Sequence, residues 1–261
     1  MSFLHNRIAV VTGASAGIGE AIARDFVAQG ASVVINARRT EPLERLAMDL
    51  GKARVAVAAG DAADPAVIQA MLNSAKSKFG NGAREADLVV INAGRGLNGS
   101  VMTSDTSQWE EMIRTNLLGA ALLIREAGNR MLKATEGLRG EALVKQPRDI
   151  VVIGSTVGRH VSPFSSMYGS TKFGVHGLTE GARRELGPKG IRVSLIEPGF
   201  VKSEFQGVAG YDPKWVDGVF EKFGPVLAGA DVARVVSFIA GQPANVHVND
   251  VMLRPTRQDY P

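Results

Sequence analysis

The stretch Ile8-Ala-Val-Val-Thr-Gly13-Ala-Ser-Ala-Gly17-Ile-Gly19 joins an apolar run to the start of a helical pattern. β-Branched residues over Ile8–Val11 predict a buried strand, and Ile18–Gln29 follows with helical spacing. Glycines in such a turn let the backbone approach a ligand closely, and the free N–H groups of a helix N-terminus attract phosphate. We therefore predict a strand–turn–helix unit that binds the pyrophosphate of a dinucleotide. Its candidate ligands are Gly13, Ser15, Gly17, Ile18 and Gly19.

Apolar, β-branched runs alternate with amphipathic stretches along the rest of the chain. The further predicted strands are Val33–Ile35, Val55–Ala58, Leu88–Ile91, Ile150–Ile153, Val193–Ile196 and, less regular than these, His247–Leu253. They lack period-two alternation, which is typical of a parallel sheet that is covered on both faces. The predicted helices are Ile18–Gln29, Pro42–Leu50, Pro65–Phe79, Ser107–Leu132 and Ser165–Leu186.

This order of strands and helices predicts an α/β fold. We expect a Rossmann-type, doubly wound and mainly parallel sheet of about seven strands with helices on both faces. Two segments interrupt the alternation: a polar surface excursion at 133–148 and an aromatic-rich segment at 200–225 that is placed to cover a ligand. Neither resembles a linker, so we expect one domain over residues 1–261.

Composition excludes several classes of protein. The chain has 261 residues, of which 45% are hydrophobic and 21% charged, and it has no cysteine. Disulfides and thiolate chemistry are therefore excluded, and the four scattered histidines predict no metal site. The net charge of +4 is not clustered, which disfavours nucleic acid. Because Met1–Arg7 is short and polar and no apolar run is long enough to span a membrane, we expect a cytoplasmic protein.

The end of the second strand indicates which dinucleotide binds. It reads Asn36-Ala-Arg38-Arg39, with no carboxylate before Glu41. An acid at this point would accept a hydrogen bond from the ribose 2′-hydroxyl of NAD, whereas a guanidinium can bind the 2′-phosphate of NADP. The alternative is that both arginines are solvated charges at the start of a helix. The missing acid and the two bases together favour NADP(H), with Arg38 and Arg39 as ligands.

Tyr168 and Lys172 form a candidate proton-transfer pair. They stand four residues apart in Tyr168-Gly-Ser-Thr-Lys172, so on a helix both side chains share a face. A nearby cation lowers the pKa of a phenol, and we therefore expect Tyr168 to exchange a proton near neutral pH. Ser155, thirteen residues earlier, closes an apolar run and could bind the substrate oxygen. The alternative for Tyr168 is a half-buried tyrosine of the core.

The motifs together resemble the short-chain dehydrogenase/reductase family of the common length of about 250 residues. The resemblance runs from Arg7 to about Leu253, with all motifs in the family's order. After the glycine turn these are Asp61, Asn92-Ala93-Gly94, Asn116, Ser155, Tyr168 with Lys172, and Pro198-Gly199.

The resemblance implies roles for these positions. Around the cofactor, Asp61 and Ala62 would hold the adenine, while Asn92, Ala93 and Gly94 would support the nucleotide. The nicotinamide would lie against Pro198, Gly199 and Val201, and against Ser203 where the family usually has threonine. For catalysis, the family implies that Asn116 bends its helix and holds a water that links Lys172 to solvent. Lys172 would also bind the nicotinamide ribose.

These residues predict an NADPH-dependent enzyme that reduces a carbonyl group (of an aldehyde, a ketone or a 3-oxo acid derivative) with Tyr168 as general acid. The same residues could serve an NADP-dependent dehydrogenase that oxidises a hydroxy acid or an alcohol. A non-catalytic NADP(H) sensor is a third hypothesis, disfavoured because Ser155, Tyr168 and Lys172 are all present. His160 is interpreted as a residue of the pocket rim. Candidates for either pocket wall or lid packing are Met167, Phe205, Tyr211 and Trp215.

We also expect self-association. The two long predicted helices carry more apolar residues than one sheet-facing stripe requires, and the equivalent helices of the family form dimers and tetramers. A homotetramer is favoured over a dimer. The apolar residues in question are Leu117, Leu118, Leu122, Leu123, Val175 and Leu178.

Overall fold

Seven parallel strands form the central sheet of the protein. A computed structural model describes residues 3–160 and 162–260, so that Met1, Ser2, Val161 and Pro261 lie outside the described residues. In chain order the first six strands are β1 (Ile8–Thr12), β2 (Ser32–Asn36), β3 (Val55–Val57), β4 (Leu88–Ile91), β5 (Asp149–Ile153) and β6 (Arg192–Pro198). A pair of two-residue strands follows, β7 (Val201–Lys202) and β8 (Leu227–Ala228), and β9 (Asp250–Leu253) completes the central sheet.

The strand order is β3-β2-β1-β4-β5-β6-β9, so the chain winds outward in both directions from β1 and β4. All neighbours pair in parallel. Ligands of such sheets bind beyond the carboxyl ends of the strands, where the winding direction reverses. The prediction of a doubly wound, mainly parallel sheet is confirmed.

Helices cover both faces of the sheet. They are α1 (Gly17–Ala28), α2 (Thr40–Leu50), α3 (Pro65–Lys78), α4 (Trp109–Ile113), α5 (Gly119–Ala134), α6 (Ser166–Leu186), α7 (Phe205–Val208), α8 (Pro213–Phe223) and α9 (Gly229–Ala240). One apolar core joins α1, α2 and α9 to the sheet, and a second joins α3, α5 and α6 to the opposite face. Within β1, Ala9 and Val11 belong to the first core, while Ile8 and Val10 belong to the second. Burial on both faces explains why the strand sequences are continuously apolar.

The long helix predicted over Ser107–Leu132 is interrupted. A short 3₁₀ turn at Thr106–Gln108 leads into α4, and the π-helical segment Arg114–Leu118 separates α4 from α5. Asn116 lies inside this segment, as the family resemblance implied for a helix bent at that residue. Because α5 continues to Ala134, the surface excursion begins later than predicted, and it contains a 3₁₀ turn at Gly140–Val144.

The segment at 200–225 is more ordered than the sequence pattern suggested, since it holds β7, α7 and α8. Asp212 caps α8 by accepting a hydrogen bond from the Lys214 N–H, and Pro213 occupies the first helical turn. The helix α9 was not predicted, although its residues Val232 and Val236 are fully buried against α1.

Two of the side chains that suggested self-association were interpreted wrongly. Leu123 and Val175 are 1% and 2% exposed and belong to the core beneath α5 and α6. α5 and α6 also pack against each other. Each helix therefore buries a wider apolar stripe than contact with the sheet alone would require. Leu118, by contrast, is 46% exposed. Within 3–160 and 162–260, no helix is long and apolar enough to cross a membrane.

Candidate active site

A cavity of about 660 Å³ lies at the carboxyl ends of the central strands. Most of the residues predicted from sequence line it. On the cofactor side these are Gly13, Ser15, Gly17, Ile18, Arg38, Arg39, Asp61, Ala62, Asn92, Ala93 and Gly94. Beyond them lie Ser155, Tyr168, Lys172, Pro198, Gly199, Val201 and Ser203. Gly19 and Asn116 do not line the cavity and lie behind its wall.

The glycine turn has the backbone geometry that its sequence predicted. Gly13 and Gly17 have φ values of +67° and +60°, a conformation that side chains disfavour. A Cβ atom at Gly13 would stand 2.7 Å from the Asn92 Nδ2 atom. At Gly19 it would stand 2.3 Å from the carbonyl oxygen of Gly13. Gly19 therefore closes the turn against the first helix, and the turn leaves open backbone at the helix N-terminus for an anion.

Asn92 fastens β4 to the end of β1. Its side-chain Nδ2 donates to the carbonyl oxygen of Thr12 at 3.0 Å, and its backbone N–H donates to the Thr12 hydroxyl at the same distance. Ala93 N–H donates to that hydroxyl as well. The polar atoms of Asn92 thus hold the glycine turn and the strand end in fixed relation, and they support a bound nucleotide by positioning this backbone.

The arginines at the end of β2 lie at the rim of the cavity. Arg38 pairs with Glu111 at 2.7 Å, while Arg39 pairs with Glu204 at 2.7 Å and donates to the Ser15 hydroxyl at 3.2 Å. Both arginine side chains are more than half exposed. Ion pairs at such exposed positions contribute little stability, so the guanidiniums can exchange carboxylate for phosphate.

Two further polar groups lie near these arginines. The Asn36 Oδ1 atom is buried, and it has no hydrogen-bond partner among the described residues. Asp61 accepts from the Ala63 N–H at 2.9 Å and from Arg114 at 3.2 Å, so its carboxylate stands at the cavity wall in a fixed orientation. The unpaired acceptor suits a ribose hydroxyl of a nucleotide, and the fixed carboxylate suits its base. The two exposed guanidiniums suit a phosphate.

Tyr168 and Lys172 lie side by side on α6, and both are less than 10% exposed. The Lys172 Nζ atom is 5.9 Å from the centre of the Tyr168 ring, and it donates to the carbonyl oxygen of Ile153 at 2.8 Å. Burial lowers the pKa of Lys172 to about 8. The ammonium of this lysine therefore lies beside the phenol, but it donates a hydrogen bond to a carbonyl at the end of β5.

The expected direction of the Tyr168 pKa shift is wrong for the protein alone. Burial raises the pKa of the phenol above its ordinary value, and the hydrogen bond with Ser155 offsets only part of this effect. The reason is that desolvation of a fully enclosed phenolate outweighs an ammonium whose proton is directed at Ile153. Tyr168 is thus a protonated donor that faces the Ser155 hydroxyl.

Asn116 binds the protein through every polar atom of its side chain. Its Oδ1 accepts from the Arg95 N–H at 2.8 Å, and its Nδ2 donates to the Arg95 carbonyl at 2.9 Å and to the Thr171 hydroxyl at 3.0 Å. Thr171 precedes Lys172 on α6, so Asn116 connects the π-helical segment to the helix that carries Tyr168 and Lys172. A Cβ atom at Gly94 would lie 3.2 Å from the Asn116 Oδ1 and 3.8 Å from the Lys172 Nζ.

His176 supports the Ser155 loop and was not identified from the sequence. Its Nε2 accepts a hydrogen bond from the Ser155 N–H at 3.3 Å, while its Nδ1 lies 3.7 Å from the fully buried Glu197 carboxylate. Burial, together with Lys172, lowers the pKa of His176 to about 4, so the ring is neutral. The helical spacing of one further turn beyond Lys172 was the available signal.

The C-terminal segment also reaches the site. Gln258 accepts through its Oε1 atom from the Phe200 N–H at 2.9 Å, and a Cβ atom at Gly199 would lie 2.3 Å from that oxygen. Gly199 is therefore needed for close approach of the tail. One expectation for a side chain was wrong, because His160 is exposed and does not belong to the cavity lining. Met167, a candidate for either pocket wall or lid packing, packs in the same small core as Tyr168 and Phe205.

Known proteins resemble this chain over nearly its whole length. A family model for short chain dehydrogenases matches residues 7–213. An uncharacterized oxidoreductase from Staphylococcus aureus (strain MW2) is 31% identical over 255 residues, which cover 98% of this chain and all of that protein.

Solved structures agree with this match. The closed form of a serine dehydrogenase complexed with NADP+ has a TM-score of 0.85 and 30% identity, covering 97% of this chain and 96% of that one. An alcohol dehydrogenase from the archaeon Thermococcus sibiricus, complexed with 5-hydroxy-NADP, has a TM-score of 0.80 and 26% identity, covering 98% and 99%. This chain belongs to the short chain dehydrogenase family.

Proposed function

We propose that this protein is an NADP(H)-dependent oxidoreductase that reduces the carbonyl group of an aldehyde, a ketone or a 3-oxo acid derivative. One observation carries the proposal: the buried phenol of Tyr168 faces the Ser155 hydroxyl in the same cavity that the glycine turn lines. A proton donor and a hydrogen-bonding hydroxyl thus meet beside a dinucleotide site. Such a pair suits a reaction that develops charge on oxygen.

The residues present fit NADP(H). The open glycine turn can accept the pyrophosphate at the N-terminus of α1, and Arg38 and Arg39 can bind the 2′-phosphate in exchange for their exposed partners Glu111 and Glu204. The Asn36 Oδ1 offers an acceptor for a ribose hydroxyl. The solved relatives that hold NADP or its derivative support the same cofactor. When bound, the reduced cofactor supplies a hydride.

The side chains of this chain account for the rest of the reaction. As hydride adds to the carbonyl carbon, the C=O π-electron pair moves to oxygen, and Tyr168 donates its proton there. Ser155 donates a hydrogen bond to the same oxygen and shares the developing charge. Lys172 stabilises the phenolate that remains. Asn116, through its hydrogen bond to Thr171, positions the turn of α6 that carries Lys172.

The oxidative direction is the second candidate. The likeness to serine and alcohol dehydrogenases favours it, because both names describe oxidation of a hydroxyl group. In that direction the Tyr168 phenolate accepts the proton, and the same residues act in reverse. A non-catalytic sensor is disfavoured by the complete set of Ser155, Tyr168 and Lys172.

Consumption of NADPH at 340 nm with aldehydes, ketones and 3-oxo esters tests the proposal. We expect turnover with at least one carbonyl class and a lower Michaelis constant for NADPH than for NADH. The reverse assay with hydroxy acids and alcohols measures which direction is faster. Absence of turnover with every class in both directions, in a protein that binds NADPH, would reject an enzymatic function.

We further propose that residues 1–261 form one catalytic domain whose segment at 200–225 covers the substrate, and that the protein is a cytoplasmic homotetramer. Exposed apolar side chains on the outer surfaces of the helices support association. They are Ile113, Leu118 and Phe173. Light scattering that gives the mass of a monomer would contradict this part of the proposal.

A further inference from the structure

Aromatic side chains are concentrated at the end of the cavity away from the glycine turn. All three tyrosines of the chain line the cavity, with one of its two tryptophans and four of its ten phenylalanines. We define the aromatic chamber as the part of the lining formed by Phe164, Phe200, Tyr211, Trp215, Phe223 and Tyr260.

Four of the six rings of the chamber are in contact with one another. Tyr211 stacks on Trp215 with ring centres 5.1 Å apart, and Phe200 stacks on Phe223 at 5.6 Å. Phe200 also meets Trp215 edge to face at 6.5 Å, which joins the two stacks. Trp215 remains 44% exposed and Phe164 64% exposed. Apolar ring surface therefore faces the cavity, where a bound apolar group would cover it.

The charged groups of the lining already have partners. At the cofactor end, Arg38 and Arg39 pair with carboxylates, and Lys172 donates to a backbone carbonyl. Arg95 pairs with Glu111 and donates to Gln108, while its Nε atom is buried and has no hydrogen-bond partner among the described residues. The terminal nitrogens of these cations thus have partners within the protein, and the one unpartnered donor, Arg95 Nε, is buried.

Lys222 is the single basic side chain that the described lining contributes from α8. It pairs with Asp259 at 3.2 Å and lies 4.6 Å from the centre of the Phe223 ring. Both members of this pair are more than 60% exposed, so the pair is weak and its ammonium is well hydrated. A substrate carboxylate would gain little from so solvated a charge, whereas an aryl ring would contact the wall directly.

Resting on the proposed function, we propose that the carbonyl substrate carries an aryl group, which binds in the aromatic chamber while the carbonyl oxygen meets Tyr168 and Ser155. Small polar oxo acids and hydroxy acids are then poor substrates, in contrast to what the likeness to a serine dehydrogenase would suggest. Trp215, at the junction of the two stacks, determines the preference for aryl over alkyl substrates.

Three ketones with one reacting group test this inference. They are 4-phenyl-2-butanone, 2-pentanone and 4-oxopentanoate, which share CH3–CO–CH2–CH2– and end in phenyl, methyl and carboxylate. We expect kcat/KM for the phenyl ketone to exceed that for 2-pentanone about tenfold or more, because a phenyl group has more apolar surface to bury. We expect 4-oxopentanoate to be the poorest of the three.

Variants of α8 locate the preference. Trp215→Ala should reduce the phenyl-to-methyl ratio of kcat/KM about tenfold while NADPH affinity and far-UV circular dichroism stay unchanged. Glu221→Ala, exposed on the same helix and outside the lining, should leave the ratio at its wild-type value. Trp215 is partly exposed, so its truncation leaves the folded core intact.

The failures are distinguishable. Equal or better turnover of 2-pentanone or 4-oxopentanoate overturns the aryl inference and leaves the proposed carbonyl reduction standing. If 4-oxopentanoate is the best substrate and Lys222→Gln loses activity on that acid alone, the aryl inference is overturned in favour of an anion site at Lys222. No NADPH consumption with any of these ketones, or with the wider carbonyl panel, contradicts the proposed function itself.

Discussion

The two ends of the cavity are built by different parts of the fold. The cofactor end consists of strand termini, positive-φ glycines and side chains with fixed partners, such as Asn92 on Thr12. The other end, which we propose to be the substrate end, is lined by the segment at 200–225 and the C-terminal tail. The rings of Phe200, Tyr211, Trp215 and Phe223 pack on one another there. Backbone geometry dictates residue identity at the first end, while side-chain packing leaves identity free to vary at the second. If the proposed function is right, the sheet and its glycine turn set the cofactor and the chemistry, while the segments beyond the sheet set the substrate preference.

Removal of the proton donor where the two ends meet should have the largest effect. Tyr168→Phe should lower kcat about a thousandfold, because general acid catalysis contributes two to four orders of magnitude. NADPH affinity, measured by fluorescence titration, should change little. Tyr260→Phe, which alters another phenol of the same lining, should retain activity. Comparable losses in both variants would assign the effect to the cavity wall rather than to the proton.

Lys172→Met tests how far burial perturbs the catalytic pair. The folded pKa of about 8 lies below the ordinary 10.5, so the penalty of the buried ammonium is fully present below pH 8 and disappears as the pH rises toward 10.5. The free energy of unfolding of the methionine variant, relative to that of the wild type, should therefore be about 3 kcal/mol higher at pH 7 than at pH 10.5. Urea unfolding at both pH values measures this, and a difference independent of pH would contradict the assignment.

A methyl group on the glycine turn should weaken the cofactor end selectively. Gly13→Ala introduces strain at positive φ and a Cβ contact of 2.7 Å with Asn92, and we expect the Kd for NADPH to rise about tenfold or more. Gly51→Ala is the matched control, because Gly51 also has a positive φ but no atom within 4 Å of its Cβ position. Equal losses of NADPH affinity in both variants would show that strain alone matters.

Charge at the end of β2 should affect cofactor choice and nothing at the substrate end. Arg38→Asp should raise the Michaelis constant for NADPH about tenfold or more relative to that for NADH, because a carboxylate repels the 2′-phosphate. The exposed Arg184, which pairs with Glu180 and lies outside the cavity, provides the control Arg184→Asp. An unchanged NADPH-to-NADH ratio in Arg38→Asp would remove this arginine from the phosphate site.

Sequence reasoning succeeded where spacing within one element determines geometry. Gly13 and Gly17 adopt the predicted turn, and Tyr168 and Lys172 share one helix face, because both arrangements depend on neighbours close in the chain. Ser155 enters the same cavity because parallel strands end at one edge of the sheet.

Sequence patterns did not predict contacts between residues that are distant in the chain, or a pKa that depends on burial. Gln258 meets Phe200 across 58 residues, and Glu204 meets Arg39 across 165, so no local pattern reveals either contact. The pKa of Tyr168 was predicted in the wrong direction because spacing shows a neighbouring charge but not the depth at which the phenol is buried. α9 was missed because α1, the helix on which it packs, lies near the opposite end of the chain.

Transfer of deuterium from labelled NADPH tests whether the enzyme reduces a carbonyl group with Tyr168 as the proton donor. With 4-phenyl-2-butanone and NADPH that carries deuterium at the transferable position, the alcohol product should contain one deuterium on its carbinol carbon for each NADPH consumed. Tyr168→Phe should bind the same cofactor and form almost no labelled alcohol. NADPH consumption without deuterium on that carbon would contradict the proposed carbonyl reduction. Labelled alcohol formed by Tyr168→Phe at the wild-type rate would contradict the role of Tyr168 as proton donor.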